Sequence, residues 1–280
     1  MGFFAFTTIL LLFFATVLTY GSGEGFAQVG STLFGIPRVD PFAPTQFGSF
    51  VSVSKDGLSL VVGAKGYDNS PDGVGNGGVF LYEWDTVSAD WILASLLTGS
   101  EGEGILEASI SADGSRVAIV RLNRPDGNQY VEVYDSASGI KLGSSLFTGG
   151  SGGRSSLSGN GMVVAIASAN HGANVGRVET FQWNAAISDW NWMASIDGIE
   201  FNSLFGWALD LSQDGFRLAV AAPLQSQYGF MRNGVCKIFD WGEGVAMWIQ
   251  AAEFGGHEVR SRYCIKVRTL YMSNMLHVLT

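Results

Sequence analysis

The sequence predicts an all-β fold, a β-propeller of four full four-stranded blades with a partial fifth, on three observations. A β-hairpin signal recurs four times, it recurs at the period of a propeller blade, and each copy is followed by two more strand-like segments. The clearest copy runs from Phe205 to Pro223. Trp207, Leu209 and Leu211 alternate with Ala208, Asp210 and Ser212, the period of two of a half-buried strand. Phe216, Leu218, Val220 and Ala222 form the apolar row of the second limb. Between the limbs, Asp214-Gly215 is the dipeptide of a tight primed turn, for which positive φ is expected at both residues.

The other copies are Ser54-Lys55-Asp56-Gly57, Ser111-Ala112-Asp113-Gly114 and Ser158-Gly159-Asn160-Gly161. The turns lie 57, 47 and 54 residues apart (Asp56 to Asp113, Asp113 to Asn160, Asn160 to Asp214), closer to a four-stranded blade than to the shorter helical repeats. Apolar second strands follow each turn from Leu58, Arg116, Met162 and Arg217, third strands start at Val79, Tyr130, Arg177 and Val235, and a fourth closes each unit. The units fall near 47–99, 105–149, 152–198 and 205–256, within a propeller region of 28–256.

Ahead of them, residues Gly2 to Tyr20 carry no charge, and Gly25 and Ala27 stand three and one residues before a cut at Gln28. Residues 1–27 read as a secretory signal peptide, with an uncleaved N-terminal membrane anchor as the alternative. Either reading places the chain in the secreted or cell-surface class, with a membrane contact only through this segment. Val29 to Gly35, VGSTLFG, repeats the pattern of LGSSLFTG in the second unit and reads as a stray outermost strand able to close a last blade. Residues 257–280 lose the turn motif and are rich in Arg and Lys, either a degenerate fifth repeat or a tail outside the propeller.

With 280 residues, 47% of them apolar, the chain can bury a large core, and its 38 glycines serve mainly the turns. The net charge of −9 excludes a nucleic-acid partner, which needs a basic patch. The two cysteines, Cys236 and Cys264, are a candidate disulfide in an oxidising compartment.

Phe47-Gly48 with Val62-Gly63-Ala64, and Phe205-Gly206 with Ala221-Ala222-Pro223, resemble the FG-GAP repeat of integrin α-chain propellers. The pattern is closer still to secreted algal proteins built on FG, SxDG, VAIGAP and W. The resemblance spans Phe47 to Gly256 and implies an extracellular binding propeller. Integrin-like members hold calcium in the loop between the first two strands. Here that loop is the short turn at Asp56-Gly57 or Asp214-Gly215, too small for six to eight oxygens, so no calcium is carried over to it.

Other motifs lack their context. Asp68, Ser70 and Asp72 start an EF-hand-like loop, a weak metal candidate, but Val79 stands where a bidentate Glu belongs. Gly73, Gly75 and Gly78 precede a strand rather than a phosphate-binding helix. Ser151 has nucleophile-elbow spacing without a partner, since His171, His257 and His277 are the only histidines. Glu101, Glu103, Glu107, Asp197 and Glu200 read as solvated loop acids. Trp84, Trp91, Trp183, Trp190, Trp192, Trp241 and Trp248 recur at third- and fourth-strand ends, as packing between blades requires.

No catalytic residue and no cofactor is assigned. The expected function is binding of an extracellular protein or glycan by a non-catalytic propeller. An extracellular polysaccharide hydrolase or lyase, and a fragment of a longer repeat protein, are the alternatives. The long loops between second and third strands are expected on one face. The candidate ligand-binding set on them is Tyr67, Asp68, Asp72, Arg124, Asp126, His171, Asn174, Tyr228 and Arg232, with Lys55 and Gln213 opposite.

Overall fold

The computed structural model describes residues 28–35, 44–68, 76–100, 102–227 and 229–256. They form four antiparallel four-stranded sheets, each a meander of consecutive strands, as the fourfold hairpin signal requires. The first blade is β1 (Phe47–Val53), β2 (Ser59–Ala64), β3 (Gly78–Asp85) and β4 (Asp90–Thr98). The second is β5 (Glu103–Ile110), β6 (Arg116–Asn123), β7 (Gln129–Asp135) and β8 (Leu146–Phe147). The third is β9 (Gly153–Leu157), β10 (Val163–Ser168), β11 (Arg177–Asn184) and β12 (Asp189–Asp197). The fourth is β13 (Leu209–Leu211), β14 (Arg217–Ala222), β15 (Val235–Gly242) and β16 (Met247–Gly255). The first strands β1, β5, β9 and β13 lie innermost and meet their neighbours in sequence order. This is a β-propeller.

The second strands of the middle blades, β6 and β10, are apolar on both faces because each is sandwiched between two blades. Val163, Ala165 and Ala167 of β10 pack forward against Leu218, Val220 and Ala222 of β14. Val164 and Ile166, on the other face of β10, pack backward against Ala118 and Val120 of β6. Val61 of β2 likewise meets Val117 and Ile119 of β6. A continuous apolar run is what a strand buried on two sides demands.

The turn motif holds its geometry differently from the expected primed turn. Positive φ occurs only at the glycine, at +74° for Gly57 and Gly114, +67° for Gly161 and +83° for Gly215; the preceding Asp or Asn stays out of that region. The bend spreads over four residues, with Gly57 N–H donating to Ser54 O (3.0 Å) and equivalent bonds in the other copies. Side chains fix it. Ser54 Oγ donates to Asp56 Oδ1 (2.5 Å), which also accepts from Leu58 N–H (2.9 Å), while Ser59 N–H donates to Ser54 Oγ (2.9 Å). Ser111 with Asp113, Ser158 with Asn160 and Ser212 with Asp214 repeat this set. The short polar side chain competes successfully with the backbone, so the strained residue is reduced to one. The turns also join blade to blade: Lys55 N–H donates to Ala112 O (2.8 Å), Asp113 N–H to Gly159 O (2.9 Å), and Asn160 N–H to Gln213 O (3.0 Å).

The recurrent tryptophans pack between and within blades. Trp84–Trp91, Trp183–Trp190 and Trp241–Trp248 are edge-to-face pairs at 5.2 to 5.4 Å across the outer hairpins. Trp190 Nε1 donates to Leu142 O of the preceding blade (2.8 Å) and Trp248 Nε1 to Thr180 Oγ1 (2.9 Å). Trp192 points outward and is exposed.

Residues 28–35 make no strand ladder among the described residues, yet they occupy the place of a preceding outer strand. Ser31 donates from N–H and Oγ to the Asp90 carboxylate at 2.7 Å each, as Ser144 does to Asp189 at 2.7 and 2.8 Å. Gly30 lies against Asp90 and Trp91 as Gly143 lies against Asp189 and Trp190, and Gly35 abuts Phe47 as Gly198 abuts Phe205. On β1 itself, Val51 and Val53 are exposed, whereas Ile110, Leu157 and Leu211, which take the place of Val53 in later blades, are buried. The signal segment 1–27 and the tail 257–280 lie outside the described residues. Among the described residues no helix is long and apolar enough to cross a membrane.

Candidate functional site

The two ends of the propeller differ in construction. At one end the loops between second and third strands meet the connections that run from blade to blade. Arg124 N–H donates to Gly102 O, Asn174 Nδ2 to Asn202 Oδ1, and Ser226 N–H and Oγ to the Glu200 carboxylate. At the other end the hairpin turns meet one another, as where Ser136 N–H donates to Ser115 O (3.0 Å). Lys55 and Gln213 belong to this second end, in the linked turns.

The structure sorts the expected loop residues. Tyr67 is buried, edge-to-face on Phe80 at 5.6 Å, so its ring belongs to the core of the first blade and not to the loop surface. Asp68 is also buried. Arg124, Asp126 and Arg232 are exposed on their loops, and Asp126 binds its own loop through Asn123 and Asn128. His171 Nδ1 lies 3.2 Å from Gly149 O. Ser70, Asp72, Tyr228 and Cys264 lie outside the described residues; Cys236 is fully buried. Among the described residues no group of three or more His, Cys, Asp or Glu side chains is placed to hold a metal.

The acids expected to be solvated stay open to solvent to differing degrees, Asp197 most of all, while finding partners on the protein; Glu101 lies outside the described residues. Asp197 pairs with Arg177 (2.6 Å) and Glu200 with Ser226. Glu103 accepts from Ser100 N–H (2.8 Å) and from the Tyr130 hydroxyl. Beside it Arg121, buried where the other blades carry Ala64, Ser168 and Ala222, donates from Nε to Glu132 (2.6 Å) and from NH2 to the Tyr134 hydroxyl (2.9 Å). Glu132 also accepts from Tyr134, Lys141 and Ser145. Burial works to raise the Glu132 pKa, but Lys141, Tyr134 and Arg121 hold it down at about 2. Burial and Glu132 push Tyr134 up to about 12. Each charge has a partner within the second blade, and Arg121 NH1 also donates to Thr98 O of the first (3.3 Å), so the network reads as structural.

A different cluster lies on the propeller axis. Four residues before the serine of each turn motif stand Phe50, Glu107, Arg154 and Ala208, on the four inner strands or their approach. Arg154 Nε lies 3.4 Å from Glu107 Oε2, and its guanidinium sits 5.5 Å from the ring centre of Trp207, which is 37% exposed. Lys65, at the end of β2, lies with Nζ 6.0 Å from the Phe50 ring centre and within electrostatic reach of Glu107. Burial raises the Glu107 pKa, and Arg154 and Lys65 only partly oppose it. The cluster draws one residue or more from every blade, beside the end that carries the long loops. Sequence reading took Glu107 for a loop acid and passed over Lys65, Arg154 and Trp207 as site residues. Aligning the repeats on their serines exposes the signal, a charged residue at an otherwise apolar position of the second and third units.

Comparison of the sequence with protein-family models and with curated proteins finds no match. Among solved structures, the hydrazine synthase of Kuenenia stuttgartiensis is similar over 82% of this chain and 70% of its own, with 12% identity and a TM-score of 0.52. A 6-phosphogluconolactonase-like protein of Bacteroides fragilis is similar over 74% of this chain, with 13% identity and a TM-score of 0.48, and TolB of Acinetobacter baumannii over 71%, with 13% identity and a TM-score of 0.39. The chain spans 54% of the Bacteroides protein and 42% of TolB. The fold therefore defines a β-propeller of about four blades, and the similarity extends to fold alone.

Proposed function

We propose that this chain is a non-catalytic, secreted or surface-held propeller that binds an extracellular protein or glycan at the loop-bearing end of its axis. The observation that carries the proposal is the exposed Trp207 under the Arg154 guanidinium, which itself lies 3.4 Å from Glu107, with Lys65 within electrostatic reach of that carboxylate. An exposed indole beside a guanidinium with spare N–H donors is the composition of a recognition site, since the ring supplies contact area and the polar group orients the ligand. The likeness of Phe47-Gly48, Val62-Gly63-Ala64 and the turn motifs to FG-GAP and algal repeat proteins supports an extracellular binding role, as does the apolar segment 1–27. The hydrolase alternative draws on Glu107, whose raised pKa suits a general acid. Glycoside hydrolysis needs a second carboxylate across the cleft, and the groups facing Glu107 are the cations Arg154 and Lys65.

The test is a glycan and protein array probed with the secreted chain and with Trp207→Ala. Binding lost in the variant at unchanged melting temperature supports the reading. Release of reducing ends or of unsaturated products from any bound polysaccharide overturns it in favour of an enzyme.

A further inference from the structure

We propose that the ligand of the axial site is an anionic sugar unit, its acid group held between Arg154 and Lys65 and its ring stacked on Trp207, in competition with Glu107. The inference rests on the binding function above and adds the chemical class of the ligand.

Three observations carry it. The first is charge. The chain as a whole is at −9, yet around Glu107 two cations, Arg154 and Lys65, stand against one carboxylate, a local reversal of sign that attracts anions; the next carboxylate along the inner strands, Asp210 on β13, accepts from Ser156 Oγ (3.1 Å).

The second is unspent donors. Arg177 and Arg217 each grip a carboxylate through both Nε and NH2, at 2.6 and 3.0 Å to Asp197 and at 2.6 and 2.9 Å to Asp240. Arg154 makes a single 3.4 Å approach to Glu107 and one bond to Gly153 O (3.0 Å). A guanidinium has five N–H groups in a fork that fits a carboxylate or sulfate oxygen pair, and most of those on Arg154 have no protein acceptor among the described residues. Lys65 Nζ has no carboxylate within 4.0 Å among the described residues. The Arg154–Glu107 contact is thus loose enough to be exchanged for a ligand.

The third is the indole. Trp207 keeps 37% of its surface exposed with the guanidinium over its ring, so an indole open to solvent stands next to the cation and can supply apolar contact to the C–H side of a pyranose. An acid group on that ring reaches the fork while the ring stacks, so one unit satisfies both.

Competition by Glu107 gives the site a pH dependence of defined sign. The groups facing Glu107 are Arg154 from β9 and Lys65 from the end of β2; β1 presents Phe50, and the paired residue on β6 is Val120. As pH falls through the raised pKa of Glu107, the carboxylate becomes neutral, Arg154 is released, and the cluster goes from one net positive charge to two. A sugar carboxylate with an unperturbed, lower pKa, or a sulfate ester, is still ionised there, so affinity rises as pH falls.

The experiment is calorimetric titration of the secreted full chain, at pH 5 and pH 7.5, with three probes: an oligogalacturonate, a sulfated galactan oligosaccharide and a neutral cello-oligosaccharide. Binding of either acidic probe over the neutral one, stronger at pH 5, is the expected result, and the two acidic arms distinguish a carboxylate from a sulfate ligand. Arg154→Ala should weaken acidic-probe binding by about tenfold or more, the share of one charge-assisted hydrogen-bond pair. Glu107→Gln, which copies the neutral acid, should tighten binding at pH 7.5 and abolish the pH difference, a result that a damaged fold cannot produce. Preference for the neutral probe, with loss in Trp207→Ala but none in Arg154→Ala, overturns the anionic ligand and leaves the binding function standing. No binding to any probe overturns the sugar ligand, and capture of an acidic peptide instead would leave only the protein-binding form of the proposed function.

Discussion

The ring of Phe50 on β1 lies flat over Gly63 on β2, so close that a methyl group at Gly63 would fall within the ring. Phe50 belongs to the cluster that joins the first two blades, with Val61, Val79 and Leu81 beneath it and Ile105 and Ile119 opposite. Gly63 is the glycine of the Val62-Gly63-Ala64 stretch, and the equivalent positions carry Val120, Ala167 and Ala221, which face no such ring. Gly63→Ala should therefore destabilise the protein by about 1–3 kcal/mol through overpacking. Pairing it with Phe50→Leu should recover part of the loss. Denaturant unfolding of the two single variants and the double variant reads the coupling, and simple additivity would break the proposed contact.

The turn motifs make a second prediction, in acid. Hydrogen bonds from Ser54 and the Leu58 amide hold the Asp56 carboxyl below its ordinary range. At Asp214 burial works upward, but the bonds from Ser212 and the Phe216 amide outweigh it. A depressed carboxyl stabilises the fold above its unfolded pKa near 3.8, and that contribution is lost as pH falls through the lower folded value. The third blade shows the remedy, since Asn160 accepts the same two bonds without a titratable proton. Asp56→Asn with Asp214→Asn should flatten the loss of melting temperature below pH 4 while leaving the value at pH 7 within a few degrees. An unchanged acid limb would show that these turns do not set it.

The limits of sequence reading follow from the same elements. Blade number, strand order and the faces of the second strands were legible because a turn motif at a near-constant period and an alternation of two are local signals. The conformation of the turn was not, because Asp-Gly suits more than one bend and the deciding bonds come from Ser54 and its equivalents two residues earlier. Tyr67 read as a loop residue because it follows Lys65-Gly66, and only the fold brings Phe80 beneath it. The axial cluster is legible only in part, through the repeat alignment that sets Glu107 and Arg154 against Phe50 and Ala208: Lys65, Glu107, Arg154 and Trp207 are spread over 143 positions (Lys65 to Trp207, both included), and nothing local marks them as neighbours.

Calcium supplies a third prediction. The turn carboxylates at the place of the FG-GAP calcium cage accept from Ser and backbone N–H donors within their own turns. Millimolar calcium should leave the melting temperature unchanged to within about a degree. Binding at 100 times the dissociation constant would add about 2.7 kcal/mol, an easily measured rise. Such a rise would point to the loop that begins at Asp68.

The last prediction concerns the segment ahead of the first blade. Residues 28–35 repeat at several points the way an outer strand seats on the next blade: Ser31 on Asp90 as Ser144 on Asp189, and Gly35 on Phe47 as Gly198 on Phe205. If that seating is structural, its apolar contribution must come from the side chain turned inward. Leu33 packs against the cluster of Val62, Phe80 and Tyr82, whereas its neighbour Phe34 is 79% exposed. Leu33→Ala should cost on the order of 1–2 kcal/mol, below the cost of a fully buried leucine because Leu33 is only partly covered. Phe34→Ala should cost nothing measurable, although it removes the larger side chain. Asp90→Ala should loosen the same segment, read as faster amide exchange at Ser31, and Asp189→Ala should do so at Ser144. Equal, negligible effects of Leu33→Ala and Phe34→Ala would mean that the segment merely rests on the blade and that the likeness to an outer strand ends at sequence.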